Sequence, residues 1–252
     1  MSTVLITGCS TGIGYATALA FARAGHKVAA TMRNPKRAPQ LADQAAKEKL
    51  PITVIAMDVD TDASVTQGVA AAVKALGPID VLVNNAGIYH AVNAEETTDQ
   101  IWQQTLAINL SAAFFLSRAA MPYLRQSKGV IVNIASDWGL VGGRNAVAYC
   151  ASKGGLVLMS KAMALDHAAE GVRINAVCPG DVETPMLYRS GAVHGLDRPG
   201  ALAEANASSR TRRVTTAAEV AALVAFLASD EAAQITGAAI PIDGGNTAGS
   251  AS

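Results

Sequence analysis

A tyrosine and a lysine four residues apart, Tyr149 and Lys153 in the stretch AVAYCASKGG, are the residues of this sequence best suited to proton transfer. In a helix, this spacing places the phenol and the ammonium on the same face. A cation close to a phenol favours the phenolate, so we expect Lys153 to lower the pKa of Tyr149 from its usual value of about 10. Tyr149 would then accept a proton from an alcohol or donate one to a carbonyl oxygen. The alternative is an ordinary surface pair.

Glycines near the start of the sequence indicate a phosphate-binding turn. The stretch VLITGCSTGIG follows a β-branched run and leads into an Ala-rich helical stretch. Glycines permit a tight turn and close approach of the backbone to a pyrophosphate, and the N–H groups of a helix N-terminus face negative charge. The spacing G-x-x-x-G-x-G differs from the G-x-G-x-x-G fingerprint, and such glycines also occur in plain turns. The predicted dinucleotide contacts here are Gly8, Ser10, Thr11, Gly12, Ile13 and Gly14.

The second and third apolar runs predict how the adenosine half of the dinucleotide is bound. The segment VAATMRN ends without an Asp or Glu for a ribose 2′-hydroxyl, and Arg33 stands where it could bind a 2′-phosphate. We therefore expect NADP(H) to be preferred; NAD(H) and a merely solvated loop arginine are the alternatives. Asp58 and Val59 are expected at the adenine edge, unless Asp58 only caps the next helix.

Alternating strand-like and helix-like segments predict one α/β domain spanning residues 1–252, with a doubly wound, Rossmann-type parallel sheet of about seven strands and helices on both faces. The predicted strands are 3–7, 27–32, 52–59, 79–87, 129–136, 172–180 and 238–245. The predicted helices are 12–24, 37–50, 60–76, 98–127 (continuous or broken once), 146–171 and 215–229. Residues 185–213 interrupt the pattern and are predicted to form a substrate lid, with a solvated or subunit-contact surface as the alternative. Residues 246–252 are predicted to form a flexible tail.

Taken together, these motifs resemble those of the short-chain dehydrogenase/reductase family. The ordered pieces are TGCSTGIG, NNAG at 84–87, Asn109, Ser136, YCASK at 149–153 and PGDVET at 179–184. The resemblance extends from Thr3 to about Gly245, and no catalytic member of the family's pattern is missing. It implies hydride transfer between NAD(P)(H) and a secondary alcohol or ketone, and a homotetramer or homodimer.

The resemblance also implies roles for single residues. Ser136 would donate a hydrogen bond to the substrate oxygen, and Asn109 would position a water that joins Lys153 to solvent. Lys153 would bind the nicotinamide ribose and, together with the positive charge of an oxidised nicotinamide, would lower the pKa of Tyr149. Ser136 could instead cap a turn, and Asn109 could merely bend its helix. The further cofactor contacts that it implies are Asn85, Ala86, Gly87, Tyr149, Pro179, Gly180, Val182 and Thr184.

The sequence leaves the substrate open among steroids, small cyclic ketones, sugars and β-ketoacyl thioesters. Specificity is expected to lie in residues 88–97, 137–148 and 185–213. A catalytically silent dinucleotide-binding regulatory protein and an epimerase or dehydratase are the competing function classes. The complete catalytic set counts against the first, and the short chain after the sixth strand counts against the second. The predicted pocket residues are Ser136, Asp137, Trp138, Leu140, Val141, Arg144 and Tyr149.

The composition argues against nucleic acid, anionic membranes and metal ions as binding partners. Lys plus Arg and Asp plus Glu each number 20, so the zero net charge offers no basic field to nucleic acid or an anionic membrane. The three cysteines and four histidines lack metal-ligand spacing, so no metal is expected. No signal peptide and no apolar window of membrane-spanning length is evident, which favours a cytoplasmic protein.

Overall fold

Seven parallel strands form the central sheet of the computed structural model, which describes residues 1–249. They are short runs rich in Val, Ile and Ala, a composition typical of parallel strands that are buried on both faces. The strands are β1 (Thr3–Ile6), β2 (Lys27–Met32), β3 (Ile52–Ala56), β4 (Val81–Asn84), β5 (Val130–Ile134), β6 (Arg173–Pro179) and, after a separate parallel pair β7 (Val182–Glu183) and β8 (Thr215–Thr216), β9 (Ala239–Ile242). Their order across the sheet is β3-β2-β1-β4-β5-β6-β9.

Helices cover both faces of this sheet. They are α1 (Gly12–Arg23), α2 (Gln40–Glu48), α3 (Asp62–Leu76), α4 (Asp99–Leu106), α5 (Ala112–Ser127), α6 (Val147–His167), α7 (Pro185–Val193), α8 (Arg198–Ser208) and α9 (Ala217–Ala228). Successive strand residues point to opposite faces. Val4 and Ile6 of β1 therefore pack in the cluster with α1 and α9, whereas Leu5 packs in the cluster with α3 and α5. Each of these fully buried side chains contributes roughly 1.5–3 kcal/mol to folding.

The strand order reverses beside β1, and this reversal positions the candidate site. The chain first adds β2 and β3 on one side of β1, and then adds β4, β5 and β6 on the other side. Such a reversal leaves a crevice at the carboxyl ends of the two strands that flank it. The glycine turn after β1 and the NNAG turn after β4 both lie at this edge. The predicted Rossmann-type fold is confirmed.

The long helix predicted over 98–127 is broken by a π-helical turn, Ala107–Ser111, between α4 and α5. A π turn inserts an extra residue into the helical repeat and is frequent at functional sites. Here it carries Asn109, whose side chain is buried.

Residues 185–213 fold into α7 and α8 rather than a structureless excursion. Pro185 begins α7, and the Asp197 side chain accepts a hydrogen bond from Gly200 N (2.8 Å) at the start of α8. Gly191 of α7 packs against Ala201 of α8, where a Cβ on the glycine would overlap the alanine side chain. A lid role for this helix pair stays a prediction.

Some charge in this helix pair is used within the fold. The Arg198 guanidinium lies 4.3 Å from the centre of the Tyr188 ring, and Arg213 forms an ion pair with Glu219 (2.6 Å) at the start of α9. Each of these two arginines therefore already has a partner within the fold.

The C-terminal segment begins with an ordered turn. Asp243 accepts a hydrogen bond from Thr247 N (2.8 Å), so the first residues of the predicted tail are tied to the end of β9. The predicted flexibility of 246–252 is otherwise untested, and residues 250–252 lie outside the described part of the chain. Within residues 1–249, we find no helix that is both long enough and apolar enough to span a bilayer.

Candidate active site

The predicted catalytic residues converge at the carboxyl end of β5. Ser136 follows that strand directly, and Tyr149 and Lys153 face it from the first turns of α6. Lys153 is buried, and its Nζ donates a hydrogen bond to Ile134 O at 2.7 Å. The same Nζ lies 5.7 Å from the centre of the Tyr149 ring. One buried cation is thus held between the sheet edge and the phenol.

Glycines allow α6 to lie close to its neighbours. A Cβ at Gly139 would stand 2.8 Å from Lys153 O, and a Cβ at Gly155 would stand 2.9 Å from Leu110 in the π turn. Both contacts are too short for a real Cβ, so larger residues would push the helix away from β5. The small residues around Tyr149 and Lys153 therefore position the catalytic pair.

Asn109 joins the NNAG turn to α6 through its side chain. Its Oδ1 accepts from Ile88 N (2.8 Å), and its Nδ2 donates to Ile88 O (2.9 Å) and to Ser152 Oγ (3.1 Å). Both amide hydrogens are therefore engaged in holding the loop and the helix. A Cβ at Gly87 would lie 3.4 Å from Asn109 Oδ1 and 3.5 Å from Lys153 Nζ, so the two polar groups share one small space. A water relay between them stays a prediction.

Ser136 is fixed by hydrogen bonds to the short 3₁₀ turn that follows it. Its Oγ donates to Asp137 Oδ1 (2.9 Å) and accepts from Trp138 N (3.1 Å), and Pro179 O is a longer alternative acceptor at 3.4 Å. The serine is therefore both a turn cap and a residue of the site, which combines the two interpretations of the sequence.

Two aromatic rings pack against the phenol. The centres of Tyr89 and Trp138 lie 5.2 Å and 6.2 Å from that of Tyr149, with edge-to-face geometry. Gly143 covers the indole, where a Cβ would overlap the ring, and its N–H donates to Cys150 Sγ (3.2 Å). The prediction of Trp138 at the pocket fits this placement. Tyr89 was not singled out from the sequence, although it lies two residues after the NNAG motif.

Burial dominates the electrostatics of the catalytic pair. It raises the pKa of Tyr149 above its usual value and lowers the pKa of Lys153 to about 8. The nearby Asp137 carboxylate raises the pKa of Tyr149 further, while hydrogen bonding with Ser136 opposes the rise. In the chain without a cofactor, burial outweighs any lowering of the Tyr149 pKa by Lys153; the lowering expected from Lys153 together with an oxidised nicotinamide stays a prediction. Desolvation of the phenolate is the largest cause of the rise.

The glycine turn has the space and the free donors that a pyrophosphate needs. Gly8 and Gly12 have positive φ values of 71° and 61°, and a Cβ at Gly14 would lie 2.5 Å from Gly8 O. The Thr11 side chain makes no capping hydrogen bond at the start of α1, which leaves the first N–H groups of that helix available. Ser10 and Ile13 are partly buried beside them. These residues fit a dinucleotide phosphate.

A clamp that the sequence did not reveal joins this turn to the NNAG turn. Thr7 Oγ1 accepts from both Asn85 N and Ala86 N at 3.0 Å. In return, Asn85 Nδ2 donates to Thr7 O (2.8 Å) and Gly8 O (3.2 Å). The side chain of Asn85, predicted to contact a cofactor, thus holds the two turns together. A threonine after a strand carries no spacing signal that predicts such a contact.

The tips of β2 and β3 lie side by side. Met57 N donates to Met32 O (3.0 Å), which brings the exposed Arg33 close to Asp58 and Val59. Asp58 Oδ1 accepts from Asp60 N (3.2 Å), so this carboxylate also stabilises its own turn. The predicted adenosine-binding residues are therefore brought together at one corner of the sheet.

The segment after β6 closes the opposite side of the crevice. A Cβ at Gly12 would lie 3.1 Å from Thr184 Cγ2, so Thr184 contacts the glycine turn across the crevice. Pro179 ends β6, Gly180 packs against Asp243, and Val182 is buried in the β7–β8 pair. All four predicted contacts of this segment thus border the crevice or support its wall.

Arg144 lies apart from these groups. It is exposed in the loop before α6, so its substrate contact stays a prediction. Across residues 1–249, no three His, Cys, Asp or Glu side chains lie close enough to hold a metal ion.

Comparison with known proteins gives a consistent result. A model of the family described as short chain dehydrogenase matches residues 2–193. Meso-2,3-butanediol dehydrogenase of Serratia marcescens is 38% identical over 246 residues, covering 97% of this chain and 94% of that protein. D-threitol dehydrogenase of Mycolicibacterium smegmatis is 40% identical over 244 residues, covering 96% and 92%. The structure of actinorhodin polyketide ketoreductase with NADPH matches with a TM-score of 0.93 at 32% identity, covering 98% of this chain and 97% of that one.

Proposed function

The chain belongs to the short-chain dehydrogenase/reductase family, and from that premise we propose that it transfers a hydride between NADP(H) and a secondary alcohol or ketone with Tyr149 as general acid/base. The comparisons agree on an oxidoreductase that binds NAD(P)(H) and acts on CH–OH groups. The preference for NADP(H) and the residue roles are the proposed part.

Each polar residue of the site has a task in this reaction. Tyr149 Oη accepts the alcohol proton during oxidation and returns it to the ketone oxygen during reduction. Lys153 supplies positive charge below the phenol, and Ser136 contacts the substrate oxygen. Asn109 holds the NNAG loop at a fixed distance from α6. A pre-positioned site of this kind lowers the barrier chiefly by orientation and electrostatics.

The nicotinamide, when bound, supplies the hydride acceptor or donor and, in its oxidised form, a positive charge. Because burial raises the pKa of Tyr149, the phenolate needs a nearby positive charge. An oxidised nicotinamide would supply that charge, and a reduced one would not. Lys153 and the 179–184 segment would hold the nicotinamide half, and the glycine turn would hold the pyrophosphate.

The observation that carries the proposal is the buried Lys153 ammonium at 2.7 Å from Ile134 O and 5.7 Å from the Tyr149 ring. A buried cation is costly unless it is paired and hydrogen-bonded, and the hydrogen bond to Ile134 O offsets only part of that cost. Its position between the phenol and the crevice supports a catalytic rather than a structural purpose.

Arg33 supports the preference for NADP(H). It is exposed at the tip of β2, and this strand ends without the Asp or Glu that would bind a ribose 2′-hydroxyl. An NAD-dependent enzyme of the same family is the alternative.

The proposal is tested with a panel of secondary alcohols that begins with meso-2,3-butanediol and D-threitol, the compounds in the names of two relatives. Each is offered with NADP⁺ and NAD⁺ in parallel, and the corresponding ketones with NADPH and NADH. Steady turnover with a higher kcat/KM for NADP(H) supports the proposal. Tight NADPH binding without turnover of any compound would favour a regulatory dinucleotide-binding protein. A cytoplasmic location and a homotetramer or homodimer stay predictions.

A further inference from the structure

The segment that follows β6 brings a carboxylate close to Ser136. The Ser136 Oγ lies 3.4 Å from Pro179 O at the end of β6, and Asp181 comes two residues after that proline. The backbone oxygen of Asp181 accepts a hydrogen bond from Thr215 N (3.0 Å), which ties it to the β7–β8 pair. The backbone of Asp181 is therefore fixed beside the pocket that Ser136 borders.

The Asp181 carboxylate faces the crevice. Its side chain is exposed, yet enough protein surrounds it that burial raises its pKa. A group that is both exposed and crowded lies in a concave part of the surface. Burial raises the pKa of the Tyr89 phenol and of the Asp137 carboxyl, and the charge of Asp181 raises both pKa values further, so this carboxylate lies close to both groups.

The negative charge of Asp181 is not neutralised by the part of the chain that the structure describes. Within residues 1–249, no cation and no hydrogen-bond donor lowers the pKa of this carboxyl, and the Glu204 carboxylate of α8 raises it beyond the effect of burial. Asp137 differs from it: that residue is buried, and its Oδ1 accepts from Ser136 Oγ (2.9 Å) and Trp138 N (2.8 Å). Asp181 is therefore the carboxylate that is available to a ligand.

Aromatic rings line the same part of the crevice. Tyr89, Trp138 and Tyr149 pack edge to face, with ring centres 5.2 Å, 5.8 Å and 6.2 Å apart, and each side chain is only partly buried. An organic ammonium is attracted to the face of an aromatic ring and forms charge-assisted hydrogen bonds with a carboxylate. An unpaired carboxylate beside aromatic rings therefore suits a positively charged ligand.

We propose that the substrate is a secondary alcohol or ketone that carries an ammonium group, and that Asp181 binds this group while Tyr149 and Ser136 contact the reacting oxygen. This inference rests on the proposed function and names the substrate class of the same site. A cation would pair with Asp181 and offset its repulsion by Glu204, whereas both carboxylates would repel an anion. A neutral polyol would donate hydrogen bonds to Asp181 but leave the negative charge in place.

The test uses three alcohols that share the core CH₃–CH(OH)–CH₂ and differ in charge: 1-amino-2-propanol, 2-butanol and 3-hydroxybutyrate. Both enantiomers of each are assayed at pH 8 with the oxidised cofactor that the chain uses. At this pH the amine keeps its proton, because an aliphatic amine loses it at about pH 10. We expect kcat/KM for the cation to exceed that for the neutral alcohol at least about tenfold, with the anion below both. A neutral or anionic compound that is used as well as the cation would overturn the proposal.

Asp181→Asn keeps the size of the side chain and removes its charge. In this variant, the ratio of kcat/KM for 1-amino-2-propanol to that for 2-butanol should fall at least about tenfold, and in Glu204→Gln it should fall by a smaller factor. Asp166→Asn is the matched control, because Asp166 is exposed at the far end of α6 from Tyr149, and it should leave the ratio unchanged. An unchanged ratio in Asp181→Asn, or an equal fall in Asp166→Asn, would overturn the proposal.

D-threitol distinguishes a cation site from a polyol site. If wild type prefers D-threitol to 1-amino-2-propanol and Asp181→Asn removes that preference, Asp181 binds hydroxyl groups and the proposal is overturned.

Binding to the NADPH complex separates this inference from the proposed function. The dissociation constants of 1-amino-2-propanol and 2-butanol, measured by ligand-observed NMR, should differ at least about tenfold in wild type and become similar in Asp181→Asn. If this difference is found but no alcohol or ketone is turned over, the proposed function fails and recognition of a cation by Asp181 stands. If alcohols are turned over without any preference for the cation, only the present inference fails.

Discussion

Replacing Lys153 by methionine should stabilise the chain while removing its activity. Burial lowers the pKa of Lys153 from 10.5 to about 8, and at pH 7 a difference of this size corresponds to about 3 kcal/mol of unfavourable burial of charge. Methionine has a similar length and removes that cost, but it leaves Ile134 O without its 2.7 Å donor, which costs about 1–3 kcal/mol. The net gain at pH 7 is therefore expected at about 0–2 kcal/mol.

The pH dependence separates this cause from others. Between about pH 8 and 10.5, the unfolded chain binds a proton at Lys153 that the folded chain has lost. The free energy of unfolding of the wild type therefore rises with pH in that window, by up to about 3 kcal/mol, and this contribution is absent in Lys153→Met. The Tyr149 phenol, whose raised pKa destabilises the folded chain above pH 10, is common to both proteins and cancels.

The assay is urea unfolding at pH 7, 8, 9 and 10 without cofactor and at one protein concentration. Lys161→Met is the matched control, because Lys161 is exposed on the same helix and should change stability by less than about 0.5 kcal/mol. Between pH 7 and pH 10, the free energy of unfolding of Lys153→Met relative to that of wild type should fall by more than about 1 kcal/mol. If this difference in free energy of unfolding stays constant over the range, the argument that burial of the Lys153 ammonium destabilises the folded chain is refuted.

Three further predictions concern the frame of the site. Gly14→Ala places a Cβ 2.5 Å from Gly8 O, so it should lower the free energy of unfolding in urea by about 1–3 kcal/mol and weaken NADPH binding. Gly142→Ala, whose Cβ would have open space around it, should have neither effect. Equal effects of the two variants would contradict the close approach of Gly14 to Gly8. Asn109→Ala leaves the backbone N–H and C=O of Ile88 without their hydrogen-bond partner. It should lower the free energy of unfolding in the same assay by about 2 kcal/mol or more and should also lower kcat. Arg33→Asp should reduce the kcat/KM ratio of NADPH over NADH at least about tenfold, and an unchanged ratio would remove the argument for NADP(H).

The fold and most of the site could be predicted because their signals are local. The β1 and β2 runs, the glycines after β1, and the Tyr149–Lys153 spacing each report on a short stretch of backbone. Strand ends were predicted too long: the apolar run after Ile52 continues through Val59, but β3 ends at Ala56 because the last residues turn toward the crevice. The helix pair in 185–213 had signals as well, since Pro185 starts one helix and Asp197 caps the other.

What could not be predicted depends on contacts between distant segments. Thr7 clamps a turn that lies 78 residues away, and Tyr89 meets Tyr149 only because β4 ends and α6 begins at the same edge of the sheet. The spacing of Tyr149 and Lys153 predicted their shared face but not the desolvation that raises the tyrosine pKa in the chain without a cofactor. Sequence spacing describes neighbours along a helix; desolvation depends on everything packed against it.

Tyr149→Phe is the most direct test of proton transfer by the phenol. The variant removes only the hydroxyl, so the far-UV circular dichroism should match wild type. The dissociation constant of NADPH should rise by no more than about tenfold, the effect of losing one hydrogen bond to the cofactor. Turnover of the best alcohol and ketone of the panel should fall by at least about 10²-fold in both directions at every pH from 6 to 10. Turnover at the wild-type rate in a variant that is folded and binds NADPH would contradict the account.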